Sequence, residues 1–353
     1  MKGFKGFLQR KNIVFSAKRY GIDALSAMAQ GLFASLLIGT ILNTIGTQLG
    51  IKLLIDIGGF ASAIKGAAMA IAIGYALQAP PLVLFSLATV GQASDQLGKA
   101  GGPLAVFFIA VVAAEVGKIV SKETKLDIIV TPTVTIVVGV LLSMWCAPYI
   151  GGAASAVGGA IMWATELQPF LMGVLVSVIV GVALTLPISS AAICAALGLT
   201  GLAGGAAVAG CCAQMVGFAV MSFKENRWGG LLAQGIGTSM LQMGNIVKNP
   251  KIWIPPTLAS AITGPIATCI FKLKMNGAAV SSGMGTCGFV GQIGVYSGWV
   301  NDIANGTKAA ITGLDWTALI LISFILPAIL TWLISIPLRK IGWIKENDLK
   351  LDL

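Results

Sequence analysis

The sequence lacks histidine and contains few charged residues. Its 353 residues include no His, 23 Lys and Arg, and 13 Asp and Glu, so 10% of the chain is charged. Soluble domains carry roughly 25% charged residues, which argues against an ordinary soluble enzyme. Histidine is the commonest general base and metal ligand, so its absence argues against catalytic triads and zinc sites. We therefore expect no catalytic residue, no metal and no cofactor.

The cysteines also lack a functional pattern. None of the six forms a Cys-x-x-Cys pair, and most lie inside apolar runs. Small buried thiols of this kind behave as core or lipid-facing residues. The six cysteines are Cys146, Cys194, Cys211, Cys212, Cys269 and Cys287.

Apolar residues make up most of what is present. They account for 56% of the chain, the mean hydropathy is +0.90, and the apolar runs extend from about residue 25 to residue 338. The net charge is +10, and the basic residues cluster at the ends and in short breaks between apolar runs. That placement is typical of cytoplasmic loops of a multi-pass membrane protein and unlike a nucleic-acid patch. Residues 1–24 are predicted to be an uncleaved cytoplasmic leader.

Apolar length and the position of Lys and Arg together predict the topology. A helix needs about 20 apolar residues to cross a bilayer. The sequence predicts an all-α polytopic membrane protein with about ten transmembrane helices, two re-entrant segments and both termini in the cytoplasm. The predicted spans are 25–48, 59–79, 82–96, 103–120, 128–149, 170–187, 189–209, 210–223, 253–271 and 316–338.

Two further apolar segments do not fit as simple crossings. Residues 231–247 have Arg227 before them and Lys248 and Lys251 after them, so both flanks are expected inside. Residues 277–299 are rich in Gly, Ser and Thr, and both of their flanks are expected outside. We therefore predict two re-entrant segments that enter the membrane from opposite faces.

Both segments contain the pattern Gly-x-Gly-Thr. Glycine permits unwound backbone, which is tolerated at membrane depth only beside protein or a water-filled cavity. Paired broken segments are the usual pointer to a transporter's substrate site, and neutral donors and acceptors suit a polar, uncharged solute. An alternative is that these residues only pack helices. The predicted binding residues are Gly235, Gly237, Thr238, Gln242, Asn245, Gly283, Gly285, Thr286 and Gln292.

A third candidate region is Thr165-Glu166-Leu167-Gln168, between two apolar stretches. A carboxylate at membrane depth costs about 2.5 kcal/mol or more, so it usually faces a cavity or a partner. Glu166 could accept hydrogen bonds from a substrate hydroxyl, together with Thr165 and Gln168. The alternative is that Glu166 lies in a solvated outer loop.

Charged residues inside the predicted spans are expected to be structural. Glu115 and Lys118 are three positions apart on one helix and can pair on one face. Lys65 is expected to extend its ammonium toward the membrane surface or to pair with Asp56.

Two short motifs resemble a known family. Thr165-Glu166 followed by Pro169 resembles the Thr-Glu-Pro type signature of the sugar-transporting enzyme IIC components of the bacterial phosphotransferase system (PTS). The stretch Leu186 to Ile193, with the Gly-rich segments, is similar to the stand-alone IIC-like branch that includes perfringolysin regulator (PfoR) type membrane proteins. The resemblance covers nearly the whole chain.

The resemblance implies a homodimeric sugar permease in the bacterial inner (plasma) membrane, served by separate IIA and IIB proteins. It implies that residues 25–341 form one IIC-like domain, with a scaffold half at 25–150 and a substrate half at 151–341, and that 342–353 form a cytoplasmic tail. Glu166 would touch the sugar hydroxyl that receives the phosphate. Family members that phosphorylate sugar pair this glutamate with a membrane histidine, so the absence of His argues against coupled phosphorylation.

We therefore predict a membrane transporter of a small polar solute, a sugar or sugar-like compound. If phosphorylation is coupled at all, the chain is at most the membrane subunit of a sugar phosphotransferase. The partners expected are this solute, membrane lipid, a second copy of the chain and the soluble PTS proteins, with no nucleic acid. The alternative function is a membrane-embedded ligand sensor or regulator without net transport.

Overall fold

The computed structural model describes residues 2–351, with side chains from residue 6 onward. The chain is 82% helical, which confirms the all-α prediction. Within the described residues the sole β-type pairing is an isolated antiparallel bridge between Gly201 and Met275.

Among the described residues, five helical runs are long and apolar enough to cross a membrane. The protein is therefore a multi-pass membrane protein. A bent helix pair, Lys52–Ala63 and Lys65–Ala76 with an angle of 50°, supplies a sixth crossing if it counts as one span. The predicted number of ten crossings is not confirmed, and the further apolar helix Pro169–Thr185 is shorter than these runs. The five runs are Arg19–Leu49, Pro81–Val120, Asp127–Thr165, Gly201–Met221 and Gly313–Lys340.

The chain divides into two compact units, residues 1–153 and 154–353. The boundary lies inside one continuous helix, Asp127–Thr165, which runs through Pro132 and Pro148. The assignment of 25–150 as scaffold and 151–341 as substrate half stays a prediction.

The first unit consists of short and medium-length helices. They are α1 Lys2–Arg10, α2 Ala24–Leu32, α3 Ile38–Leu49, α4 Lys52–Ala63, α5 Lys65–Ala76, α6 Pro81–Gly98, α7 Gly102–Val120 and the first part of α8 Asp127–Thr165. Three pairs are neighbours in sequence, since α3 packs against α4, α5 against α6, and α6 against α7, whereas α2 packs against the more distant α5. A π-helical turn connects α2 to α3.

One ion pair in this unit is the one predicted from the sequence, and another has a different partner. Lys118 pairs with Glu115 at 2.8 Å, as predicted. Lys65 forms an ion pair with Asp95 of α6, so its predicted pairing with Asp56 is wrong. Asp56 instead pairs with Lys52, one turn earlier on the same helix.

The basic leader is attached to the loop that follows α7. Arg10 and Lys11 form ion pairs with the same oxygen of Glu123, at 2.7 and 2.5 Å. The Lys11 ammonium also donates to the carbonyl of Ser121. The leader and this loop, both predicted to be cytoplasmic, therefore lie at one end of the first unit.

Acidification is expected to loosen this attachment. The hydrogen bond from Lys11 holds the pKa of the Glu123 carboxyl below its ordinary value of 4.5. Since the folded pKa is depressed, the stabilising contribution is fully present above the unfolded value and is lost as pH falls through the folded value. A spin label on Gln9→Cys should gain mobility as the pH is lowered below about 4.5. In Glu123→Gln the label should be mobile at every pH; an unchanged pH profile in that variant would contradict the assignment.

The second unit surrounds one buried helix. Its helices are α9 Pro169–Thr185, α10 Ser190–Ala196, α11 Gly201–Met221, α12 Phe223–Leu232, α13 Met243–Lys248, α14 Ile254–Pro265, α15 Val290–Ala304, α16 Gly313–Ile320 and α17 Leu326–Lys340. The buried helix is α11, which packs against α9, α14 and α17 and is almost completely covered.

The predicted division into spans 189–209 and 210–223 is wrong. α10 is short, and α11 continues through Gly210 without a break. A Cβ atom built on Gly210 would lie 1.9 Å from the carbonyl oxygen of Ser177 in α9. Gly210 is therefore required for close helix packing and does not mark a turn.

Charged and polar side chains group at two ends of the second unit. Residues predicted inside meet one another: Arg339 pairs with Glu225 at 2.9 Å, and Lys224 pairs with Glu346 at 2.6 Å. Residues predicted outside also meet, since Lys308 pairs with Asp315 at 2.8 Å. The grouping agrees with the predicted sides, and which end faces the cytoplasm stays a prediction.

Candidate functional site

The first Gly-x-Gly-Thr segment is a broken helix. α12 ends at Leu232, the π-helical turn Ala233–Gly237 follows, and Thr238 is extended with φ −160°. The Thr238 hydroxyl accepts a hydrogen bond from the backbone N–H of Met240 at 3.1 Å and so caps the next turn. Glycine is a poor helix former, which accounts for a break at Gly235 and Gly237.

Three buried amide side chains form a ladder along this segment. The Gln242 amide donates to Gln234 Oε1 at 2.8 Å, and the Asn245 amide donates to Gln242 Oε1 at 2.9 Å. Gln234 in turn donates to the Ser222 hydroxyl at 2.8 Å. The ladder places neutral donors and acceptors in the interior, where each needs a partner.

The C-terminal residues cover this ladder. We call residues 341–351 the C-terminal strap. Gln242 donates to the carbonyl of Leu349 at 3.0 Å, and Asn245 donates to the carbonyl of Lys350 at 2.8 Å. Leu349 is fully buried and Asn226 donates to the same carbonyl at 2.7 Å. The segment predicted as a cytoplasmic tail is therefore packed against two of the predicted binding residues.

The second Gly-x-Gly-Thr segment is also non-helical at its centre. A 3-10 turn, Ala279–Gly283, precedes Gly285, which has φ +54°. A Cβ atom at Gly285 would lie 2.6 Å from the Cβ of Cys211 in α11. The backbone conformation and the space at this position both require glycine. α10 supports the segment, since the Ser190 hydroxyl donates to the carbonyl of Gly283 at 2.7 Å.

Gln292 carries an unsatisfied acceptor. Its amide nitrogen donates to the Ser323 hydroxyl at 2.9 Å, while its Oε1 is buried without a hydrogen-bond partner. An unpaired buried acceptor is costly, so a ligand hydroxyl that donated to it would be favoured. Thr286 lies nearby in the segment, with its hydroxyl 3.5 Å from the sulfur of Met215.

The two segments lie together. Residues Ala233–Gly237 contact residues Cys287–Phe289, and both segments pack against α11. Nine of the predicted binding residues thus belong to one region of the second unit. Eight of the nine are buried, and Gly235 is partly exposed.

Sequence reasoning missed the polar centre of α11. Gln214 is fully buried, and its Oε1 accepts a hydrogen bond from Trp253 Nε1 at 2.9 Å. The Thr185 hydroxyl lies 3.3 Å from the same oxygen and 2.7 Å from the hydroxyl of Ser239 in the first segment. A glutamine inside an otherwise apolar run was the available signal.

Glu166 lies at the junction between two helices. It occupies the turn between α8 and α9, and its side chain is exposed, as is that of Gln168. The Thr165 hydroxyl donates to the carbonyl of Met162 at 2.7 Å and is engaged with its own helix. This placement matches the loop alternative, and contact of these three residues with a solute stays a prediction.

The fold and this region define a class. A helical, multi-pass membrane protein with a buried cluster of neutral polar side chains at broken segments is of the permease type. A family model described as Phosphotransferase system, EIIC matches residues 22–351, and the chain belongs to that family. The predicted resemblance to IIC components is thereby confirmed, and membership indicates a sugar-type membrane permease. Comparisons with curated proteins and with solved structures found no match.

Proposed function

We propose that the protein transports a small, uncharged polar solute, a sugar or sugar-like compound, and binds it between the two Gly-x-Gly-Thr segments. The observation that carries this proposal is the contact between the segments within the buried body of the second unit. Neutral amides and hydroxyls there match the donors and acceptors of a sugar hydroxyl group.

Specific side chains support this assignment. Gln292 Oε1 is a buried acceptor without a partner, which a sugar hydroxyl would satisfy. Gln242 and Asn245 supply further amides, although each now donates to the C-terminal strap. Because no lysine, arginine or carboxylate belongs to this set, an uncharged solute fits better than an ionic one.

The wider arrangement is proposed from the placement of Lys and Arg and from the family to which the chain belongs. Each segment enters and leaves the membrane on one side as a re-entrant element, the functional unit is a homodimer, and both termini face the cytoplasm of a bacterial cell. Separate IIA and IIB proteins are the expected soluble partners. With no histidine available to pair with Glu166, we expect the transport step to proceed without coupled phosphorylation.

Uptake into proteoliposomes tests the proposal. A panel of labelled sugars should reveal saturable uptake of at least one, with and without phosphoenolpyruvate and the soluble PTS proteins. Gln292→Met should weaken apparent affinity roughly tenfold, since one hydrogen bond is worth about 1 kcal/mol or slightly more. Gln48→Met, at an exposed position of α3, is the matched control and should be neutral.

Two results would count against the proposal. Absence of saturable uptake for every sugar tested would remove the transport function. Equal uptake by Gln292→Met and the unmodified protein, at equal thermal stability, would place the solute elsewhere. Dependence of uptake on phosphoenolpyruvate would instead show that transport is coupled to phosphorylation.

A further inference from the structure

The first unit contains a polar cavity that the transport proposal does not use. It has a volume of about 370 Å³ and lies where the residues after α1, the turn between α5 and α6, and the loop after α7 come together. The amide side chains of Asn12 and Gln78 line it together with four basic side chains. The basic residues are Arg10, Lys11, Lys118 and Lys122.

The charges around this cavity do not balance. Arg10 and Lys11 share a single carboxylate oxygen, Oε1 of Glu123. Lys122 forms no ion pair with any carboxylate in the described part of the chain, although the Asp127 carboxylate accepts its backbone N–H at 2.6 Å. There are five cations in and around the cavity: the four lining residues and Arg19, which donates to Asn12. They are accompanied by three carboxylates, Glu115, Glu123 and Asp127.

Lys118 places a buried cation at the wall of the cavity. Its side chain is 1% exposed, it pairs with Glu115 at 2.8 Å, and its ammonium donates to the carbonyl of Leu77 at 3.1 Å. A lysine ammonium has three N–H donors, so one remains for a ligand. A buried cation in a cavity that already has excess positive charge favours an anion strongly.

A neutral donor completes the set. Asn12 donates to Gln78 Oε1, which orients the Gln78 side chain and leaves its amide N–H groups without a partner among the described residues. The exposed Lys122 ammonium, the third N–H of Lys118 and the Gln78 amide together offer donors to a group with several acceptor oxygens. A phosphate group has at least two strongly accepting oxygens and a charge from about −1 in a phospholipid diester to about −2 in a free phosphate, which the excess of two cations can neutralise.

We propose that this cavity binds a phosphate group. The chemistry is common to two sources, the headgroup of an anionic phospholipid and a soluble phosphate. The cavity lies at the ends of membrane-spanning helices, beside loops whose basic residues predict the cytoplasmic side, where anionic lipids are enriched.

Binding to the full-length protein in neutral detergent provides the test. Sodium phosphate should raise the thermal transition relative to sodium chloride at equal ionic strength. Phosphatidylglycerol added to the micelles should do the same relative to phosphatidylcholine. An effect of phosphatidylglycerol at concentrations where inorganic phosphate is inactive identifies the lipid as the source, and the reverse identifies a soluble phosphate.

Two variants in the same loop distinguish binding at this cavity from a general effect of positive surface charge. Lys122→Gln removes a cavity-lining ammonium and should weaken binding of the active ligand roughly fivefold. Lys125→Gln makes the same charge change at an exposed position that does not line the cavity, and it should leave binding unchanged. Equal weakening by both variants, or the absence of any effect of phosphate and phosphatidylglycerol, would overturn the proposal.

Discussion

Gly210→Ala is expected to destabilise the second unit on the order of 3 kcal/mol. The added methyl carbon would lie 1.9 Å from the carbonyl oxygen of Ser177 and 2.5 Å from its carbonyl carbon. Both atoms belong to the backbone of α9, so no side-chain rotation can relieve the overlap. α9 and α11 would have to separate, and the Ser260 hydroxyl, 3.3 Å from the carbonyl of Gly210, would lose that contact as well.

The matched control is Gly159→Ala in α8. No heavy atom lies within 4 Å of a Cβ built at Gly159, and the residue is also inside a helix. Alanine should therefore be neutral or stabilise by up to about 1 kcal/mol, through helix propensity alone. The measurement is the fraction of monodisperse protein remaining after heating in detergent, followed by size-exclusion chromatography. Equal melting of the two variants would show that α9 and α11 are not held at this distance.

Gly210 also illustrates what the sequence could and could not predict. The run 189–223 contains no charged residue, so the distribution of Lys and Arg could not locate a turn within it. The predicted boundary at Gly210 falls where the glycine instead lets α9 approach α11 closely. A glycine that breaks a helix and a glycine that admits a neighbouring helix are alike in sequence.

The broken segments were more predictable than the helices around them. Glycine pairs at Gly235 and Gly283 lie in segments whose flanking charges already excluded a simple crossing. The contact between the two segments follows from tertiary packing on α11, which local pattern does not encode. Gln214 and Ser323 complete the polar clusters, and their roles depend on which helix faces which segment.

The position of the C-terminal strap was beyond sequence reasoning for another reason. Its contacts with Gln242 and Asn245 use the backbone carbonyls of Leu349 and Lys350. Every residue carries such a carbonyl, so no residue type predicts the interaction. Asn249 adds a similar contact, since its amide donates to the carbonyl of Trp343 at 2.8 Å.

A chain that ends at Lys340 is expected to expose the amide ladder of the first segment. Removal of the strap leaves the amides of Gln242 and Asn245 without their carbonyl partners. These two hydrogen bonds contribute about 2 kcal/mol, which corresponds to roughly a thirtyfold change in the equilibrium for opening this region. A cysteine placed at Gln242 leaves the strap of the full-length protein held by the Asn245 amide and by the Asn226 amide, which donates to the carbonyl of Leu349 at 2.7 Å. Because truncation removes these two hydrogen bonds, which also contribute about 2 kcal/mol, the cysteine should then react with a water-soluble maleimide about thirty times faster than in the full-length protein.

Two variants test whether the labelling rate depends on the buried or on the exposed contacts of the strap. The ion pair between Lys224 and Glu346 is largely exposed on both sides, so Glu346→Gln should change the labelling rate by less than fivefold. Leu349→Ala keeps every backbone carbonyl but removes a fully buried side chain, and it should raise the rate toward that of the truncated chain. Unchanged labelling after truncation would show that the strap does not cover Gln242.

The same truncation bears on the solute site, because two of the proposed binding amides are engaged by the strap. If the strap only braces the fold, its removal should lower thermal stability and leave the apparent affinity for the transported sugar unchanged. If sugar and strap compete for Gln242 and Asn245, removal should tighten apparent affinity while stability falls. Opposite movement of affinity and stability cannot arise from general unfolding, so it would assign to the strap the role of closing one entrance of the site.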